Sequence, residues 1–133
     1  MFKTIACAVT MTLLVATAAS CSEEDPPPSV RAQRCEQLSR AACAVFVRCH
    51  VLVSGRVFSN EICEQALPKV AGDCTTKPEN AAVGTATDAE IGACVSAYQG
   101  FPCNELCGRL AVDPPACQQF DTAPSQNVVQ CAP

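Results

Sequence analysis

Residues 30–50 read VRAQRCEQLSRAACAVFVRCH, and this stretch decides the fold. Cys35, Leu38, Ala42, Val45, Phe46 and Cys49 recur at steps of three and four residues and continue to Leu52. That period places them on one face of a helix. Arg34, Glu36, Gln37, Arg40 and Arg48 fall at other angles. The spacing therefore predicts a helix that starts near Val30 and ends before Gly55. A short hairpin around Ser54-Gly55, between Val51-Leu52-Val53 and Arg56-Val57-Phe58, is the competing reading of the last few residues.

A helix here also limits the disulfides. Cys35 and Cys43 stand about 12 Å apart along the axis, and Cys43 and Cys49 about 9 Å. A disulfide needs Cα atoms within about 7 Å. No two of these three can pair, so the helix must be stapled three times to later parts of the chain. Cys35 and Cys49 share nearly one face, with Cys43 about 80° or more away around the axis.

Downstream, Ser59 or Asn60 can cap a second helix carrying Ile62, Cys63, Ala66 and Leu67 inward, with Glu61 and Glu64 in its first turns. Pro68 is expected to end or kink it. Residues 71–86 read as loop, from Gly72, Asp73, Thr75, Thr76, Pro78, Asn80 and Gly84. Thr87-Asp88-Ala89-Glu90 fits a capping box. Ile91, Cys94, Val95 and Tyr98 follow at helical spacing, and Gly100 is a stop. Pro102 can open a short helix with Cys103, Leu106, Cys107 and Leu110. Pro114-Pro115 opens a turn with Cys117 and Phe120, and the tail from residue 121 is irregular and held by Cys131.

Upstream lies a targeting segment. Residues 1–20 carry one charge, Lys3, followed by apolar and small residues from Ile5 to Ala19. A basic start, a short apolar core and small residues before a cut site make a secretory signal. The segment is too short and too weakly apolar to span a bilayer well. Ala18-Ala19-Ser20-Cys21 resembles a bacterial lipobox, with Ala18 where that signal usually has Leu. The resemblance implies cleavage before Cys21, acylation of that cysteine (palmitate among the chains) and, with Ser22 following, sorting to the outer membrane. Ordinary cleavage near Ala18, giving a free periplasmic or secreted protein, is the alternative.

Cysteine parity separates the two. The chain has 133 residues and 12 cysteines. Cys7 leaves with the signal and Cys21 takes the lipid. Ten remain: Cys35, Cys43, Cys49, Cys63, Cys74, Cys94, Cys103, Cys107, Cys117 and Cys131. Ten can all pair, whereas ordinary cleavage leaves an odd thiol in an oxidising compartment. Ser22-Glu23-Glu24-Asp25-Pro26-Pro27-Pro28-Ser29 reads as a tether reaching roughly 25 Å. The remaining domain has no Trp and few large apolar residues. Such a core hardly offsets chain entropy, and five disulfides at about 2–4 kcal/mol each supply the difference.

Little in the chain points to chemistry. His50 is the one histidine. It follows Cys49, but c-type haem attachment needs a second cysteine where Phe46 stands. Phospholipase-like use of His50 lacks its Asp partner, since Val51 follows. Cys103 and Cys107 could form half a zinc site, but an exported chain favours oxidised cysteine. Ser54, Ser59 and Ser96 sit in no Gly-x-Ser-x-Gly context. The pairs Glu61 with Glu64 and Asp88 with Glu90 suit helix N-terminal charges better than a glycosidase. No catalytic residue, metal or cofactor is expected, and no enzyme.

The net charge of −4 argues against nucleic acid as a partner. Charge is nonetheless patterned. Residues 31–56 hold five Arg against Glu36, while residues 57–133 hold three basic and nine acidic side chains. The basic segment either faces the acidic remainder or, through Arg34, Arg40 and Arg48, meets an anionic headgroup surface.

The lipobox-like start, the acidic-proline tether and the runs Arg48-Cys49, Phe58 to Cys63 and Pro114-Pro115-Ala116-Cys117 to Phe120 resemble cysteine-rich bacterial lipoproteins of the myxobacterial type. The resemblance covers most of the chain and implies a lipid-anchored envelope protein, without an activity. The expectation is a small all-α, disulfide-stapled domain over 30–133, after a signal at 1–20 and a lipidated cysteine and tether at 21–29. Its expected role is a non-catalytic module for binding an envelope ligand or protein. A disulfide-stabilised hydrolase, or an inhibitor-like module using a rigid loop at 72–86, are the alternatives. An apolar cavity would favour binding, and a cleft joining His50 to a carboxylate and a serine would favour hydrolysis.

Overall fold

The computed structural model describes residues 29–110, 113–120 and 127–133. The expected signal, Cys21 and all of the tether but Ser29 lie outside the described residues. The described chain is a small, mainly helical domain with five disulfides, as the sequence predicts.

Helix α1 spans Val30–Arg48 and begins where the Ser29 hydroxyl accepts the Ala32 N–H at 3.1 Å. It stops at Cys49-His50, where His50 takes a left-handed backbone with φ 50°. The expectation of a helix running on toward Gly55 is thereby corrected. Strands β1 (Leu52–Val53) and β2 (Arg56–Val57) form an antiparallel hairpin, Leu52 opposite Val57 and Val53 opposite Arg56. Ser54 and Gly55 at its tip both have positive φ, 52° and 76°. That is the two-residue turn whose twist matches the strands, and glycine is the residue that adopts it without strain. Pairing to the C-terminal tail fixes β1 further: the Leu52 N–H donates to Gln130 O at 2.7 Å and the Ala132 N–H to His50 O at 2.9 Å. A helix over these residues would forfeit both bonds.

Helix α2 spans Asn60–Thr76 with Ser59 as its cap. It runs through Pro68, correcting the expected break there. Cys63 and Cys74, on either side of Pro68, are bonded to Cys43 and Cys35 of α1, and Leu67 is buried. Both halves are thus held to one partner, and the lost backbone bond is tolerated on an exposed face. These two bridges make α1 and α2 an antiparallel pair. Where a loop is expected from 71 to 86, α2 continues to Thr76, a 3₁₀ turn covers Pro78–Asn80, and α3 spans Ala81–Thr85. Val83 of α3, almost fully buried, ties this segment to the core.

Helix α4 (Asp88–Gly100) starts with the predicted capping box. The Thr87 hydroxyl accepts the Glu90 N–H at 3.2 Å, and the Glu90 carboxylate accepts the Thr87 N–H at 2.7 Å. It packs on α1. Helix α5 (Cys103–Leu106) follows Pro102, and a 3₁₀ turn at Pro115–Cys117 follows Pro114, both as expected.

Two apolar clusters form the core. One gathers Val45, Val51, Phe58, Leu106 and the Cys43 and Cys49 bridges; the other gathers Val83, Ile91, Phe120 and the Cys35 and Cys94 bridges. Tyr98 packs against both. Six of the fifteen buried hydrophobic residues among those described are half-cystines, so disulfide sulfur stands where a larger domain would place leucine and phenylalanine.

Candidate functional site

The bridges are Cys35–Cys74, Cys43–Cys63, Cys49–Cys103, Cys94–Cys117 and Cys107–Cys131. Cys35, Cys43 and Cys49 each join a later element, as helix geometry requires. Cys103 and Cys107 belong to different bridges and form no zinc half-site. Among the described residues no group of three His, Cys, Asp or Glu is placed to hold a metal ion. No helix among them is long and apolar enough to cross a membrane.

The arginines of α1 hold the helix ends of the domain. The Arg31 guanidinium donates to Cys74 O at 3.0 Å and Lys77 O at 2.6 Å, at the end of α2. Arg34 donates to Val83 O at 3.4 Å and Gly84 O at 3.2 Å in α3, and to Asp88 Oδ1 at 2.9 Å. Arg48 donates to the carbonyls of Gln99 and Phe101 at the end of α4. Carbonyls at a helix C-terminus lack partners and carry partial negative charge, so a cation there satisfies both needs. Arg40, more exposed, pairs with Glu36 at 3.0 Å and Glu64 at 2.9 Å, which raise its pKa. The positive segment thus reads as a set of internal clamps, and Arg34, Arg40 and Arg48 each have partners within the chain.

His50 is exposed at the end of α1. The shallow hollow beside it is lined by Arg48, Asn104, Ala132 and the Cys49–Cys103 and Cys107–Cys131 bridges. Neither a serine nor a carboxylate side chain lines that hollow among the described residues. The carboxylate pairs are separately engaged. Glu64 meets Arg40, Asp88 meets Arg34, and the Glu90 carboxyl is held below its usual range by the Thr87 N–H and hydroxyl.

A groove of about 420 Å³ opens between α1, α2, α4 and the turn after Pro114. Leu38, Val83, Tyr98, Phe120 and the Cys94–Cys117 bridge line its apolar part. Asp73, Lys77 and Asp113 are among its polar residues. The Tyr98 hydroxyl donates to Asp113, fixing the ring at one wall. The Asp73 carboxyl, in contact with Lys69 at 2.6 Å, is held below its usual range and stays ionised. An apolar concavity with a few placed polar groups is the usual form of a small-molecule site. Tyr98 and Phe120 are legible as inward residues in the sequence. Val83 is not, because Ala81-Ala82-Val83-Gly84-Thr85 is too short to show a period.

Comparisons of this chain with protein-family models, with curated proteins and with solved structures returned no match.

Proposed function

We propose that this chain is exported, cut before Cys21 and lipidated there. It acts at the outer membrane as a non-catalytic module of the cysteine-rich lipoprotein type, and takes a small, largely apolar envelope ligand in the groove beside Tyr98. The observation that carries the binding reading is the groove itself, with ordered aromatic and disulfide walls and a polar rim. Five bridges suit an oxidising compartment outside the cytoplasm. The anchor reading rests on the lipobox-like sequence and on the even count of cysteines left after Cys21 is set aside.

Two measurements test it. Mass spectrometry of the native protein is expected to find Cys21 as the first residue with acyl chains attached. A free N-terminus at Ala19 without lipid overturns the anchor. For the groove, the neutral fluorophore N-phenyl-1-naphthylamine is expected to brighten on binding, and Ala42→Phe, which puts a ring into the groove, to abolish the signal. Unchanged binding by that variant overturns the groove as the site.

A further inference from the structure

The hollow beside His50 gathers sulfur. Cys49–Cys103 and Cys107–Cys131 both line it, together with Arg48, and none of its lining residues is acidic. The five bridges differ in how far they are covered. Cys43–Cys63 and Cys94–Cys117 are buried at both ends, and Cys35–Cys74 and Cys49–Cys103 at one. Only Cys107–Cys131 has both of its half-cystines half-buried, within reach of solvent. Thiol exchange requires a thiolate to reach a sulfur of the bridge, so exposed bridges are the ones that open. The attacking group is an anion, and a partly exposed hollow with a cation and no acid suits its approach.

This bridge has a particular load. Cys131 is the one cysteine after Cys117 in the sequence, so Cys107–Cys131 is the covalent hold on everything that follows Cys117. The tail it secures, residues 127–133, lies between β1 and residues 108–110. Its other ties include four backbone hydrogen bonds. The Leu52 N–H to Gln130 O and the Ala132 N–H to His50 O hold one side. The Gly108 N–H to Val129 O, at 2.7 Å, and the Val129 N–H to Arg109 O, at 2.8 Å, hold the other. Val129 and Cys131 pack on the core, while Val128 is 54% exposed. The net gain from a backbone bond does not exceed the entropy cost of ordering one residue. The bridge therefore decides whether the tail stays docked. The other four join α1, α2, α4, α5 and the turn after Pro114 without it.

We propose that this hollow is a thiol–disulfide exchange site, where a dithiol partner reduces Cys107–Cys131 and so undocks the tail while the other four bridges stay closed. A partner thiolate attacks Sγ of Cys131 (attack at Cys107 balances in the same way). A mixed disulfide forms, and the Cys107 sulfur leaves with the electron pair of the broken S–S bond. The partner's second thiolate then attacks the partner sulfur of that mixed disulfide. This closes the partner's own disulfide and releases the Cys131 thiolate. The bridge gains two electrons, the dithiol loses two, and its two protons pass to Cys107 and Cys131. Undocking leaves the Leu52 and Gly108 N–H groups without their tail partners, so a sheet edge opens to another extended segment. The exchange site rests on neither the lipid anchor nor the groove beside Tyr98.

The test exposes the oxidised native protein to graded dithiothreitol without denaturant. Thiols are trapped with N-ethylmaleimide and located by peptide mass spectrometry. Cys107 and Cys131 are expected to be labelled together, at a dithiothreitol concentration about tenfold below the one that labels any of the other bridged cysteines. In that state hydrogen exchange should become fast at the Leu52, Gly108, Val129 and Ala132 amides and stay slow through α1 and α4. Cys107→Ser/Cys131→Ser reaches the same state without reductant, and should fold with four bridges and show the same four fast amides. Earlier opening of another bridge, or all five opening together, overturns the proposal. So do tail amides that stay protected once Cys107 and Cys131 are labelled. Loss of protection in α1 and α4 of the double variant would make the bridge a structural staple and overturn it equally.

Discussion

Glu90 shows how much one side chain settles locally. Its carboxylate takes the Thr87 N–H and hydroxyl, at 2.7 and 2.9 Å, while Thr87 returns a bond to the Glu90 N–H. The carboxyl is thereby held below its usual range, chiefly by the Thr87 N–H. A folded-state pKa below the unfolded one stabilises the fold above the ordinary carboxylate range. That stability is lost as pH falls through the lowered value. Wild type is therefore expected to melt higher than Glu90→Gln at neutral pH, with the gap closing as pH falls below the ordinary carboxylate range. Thermal melts of the two proteins across that range check it; a gap that stays constant would show that ionisation is not the cause. Ser54 is the contrary case. It sits at a positive φ that favours Gly, Asn or Asp, so Gly55 carries more of the turn than its partner does.

At the scale of elements, α1 organises the domain through its cations as well as its cysteines. Arg34 is the more enclosed of the two ion-paired arginines of α1, with its side chain 15% exposed against 50% for Arg40, and it joins α1 to α3 and to the first residue of α4. Hydrogen bonds from a charged donor contribute roughly 1.5–3 kcal/mol. Arg34→Met, which keeps most of the aliphatic stem, is expected to cost about 2 kcal/mol in denaturant unfolding. Arg40→Met, whose partners are exposed, should leave the unfolding midpoint almost unchanged. Equal losses would mean that packing rather than capping holds this corner.

The elements also mark what a sequence can disclose. Helix α4 is legible because cap and periodicity agree, Thr87 opening it and Ile91 beginning the buried stripe, and α1 is legible from the periodicity that starts at Cys35, its Ser29 cap reading as tether in the sequence. The hairpin is half legible: Ser54-Gly55 offers it, but Leu52 continues the three-residue step from Cys49, and the tail that captures β1 lies some eighty residues away. Pro68 misleads because local propensity is overridden by two bridges from the neighbouring helix. The groove is half legible. Tyr98 and Phe120 announce burial, but their meeting with Leu38 depends on a pairing of ten cysteines that admits roughly a thousand solutions. The role of Arg31, Arg34 and Arg48 at helix ends is likewise invisible until those ends are in place.

At the scale of the whole molecule, the disulfides substitute for a large apolar interior. Each closes a loop of between 20 and 54 residues. By chain entropy each contributes roughly 3–4 kcal/mol. The two clusters they thread would otherwise depend on a handful of Val, Ile, Leu and Phe side chains. Because Cys49–Cys103 and Cys107–Cys131 lie side by side at the end of α1, the tail, the hairpin and α5 are secured as one unit.

The same connectivity carries a consequence for biogenesis. In chain order the ten cysteines pair first with fifth, second with fourth, third with seventh, sixth with ninth and eighth with tenth. No cysteine joins its immediate successor. An oxidase acting on the chain as it threads out of a translocation pore would link neighbours as they appear, and every such link would be wrong. Oxidation in that order would need bond shuffling to reach the native pairs, which proceeds by thiolate attack and takes seconds to hours unassisted. Reduced protein given oxidant alone is expected to stall in scrambled forms. A glutathione buffer with a disulfide isomerase should raise the native yield several-fold. Rapid, complete recovery in oxidant alone would show that the helices form before any sulfur reacts.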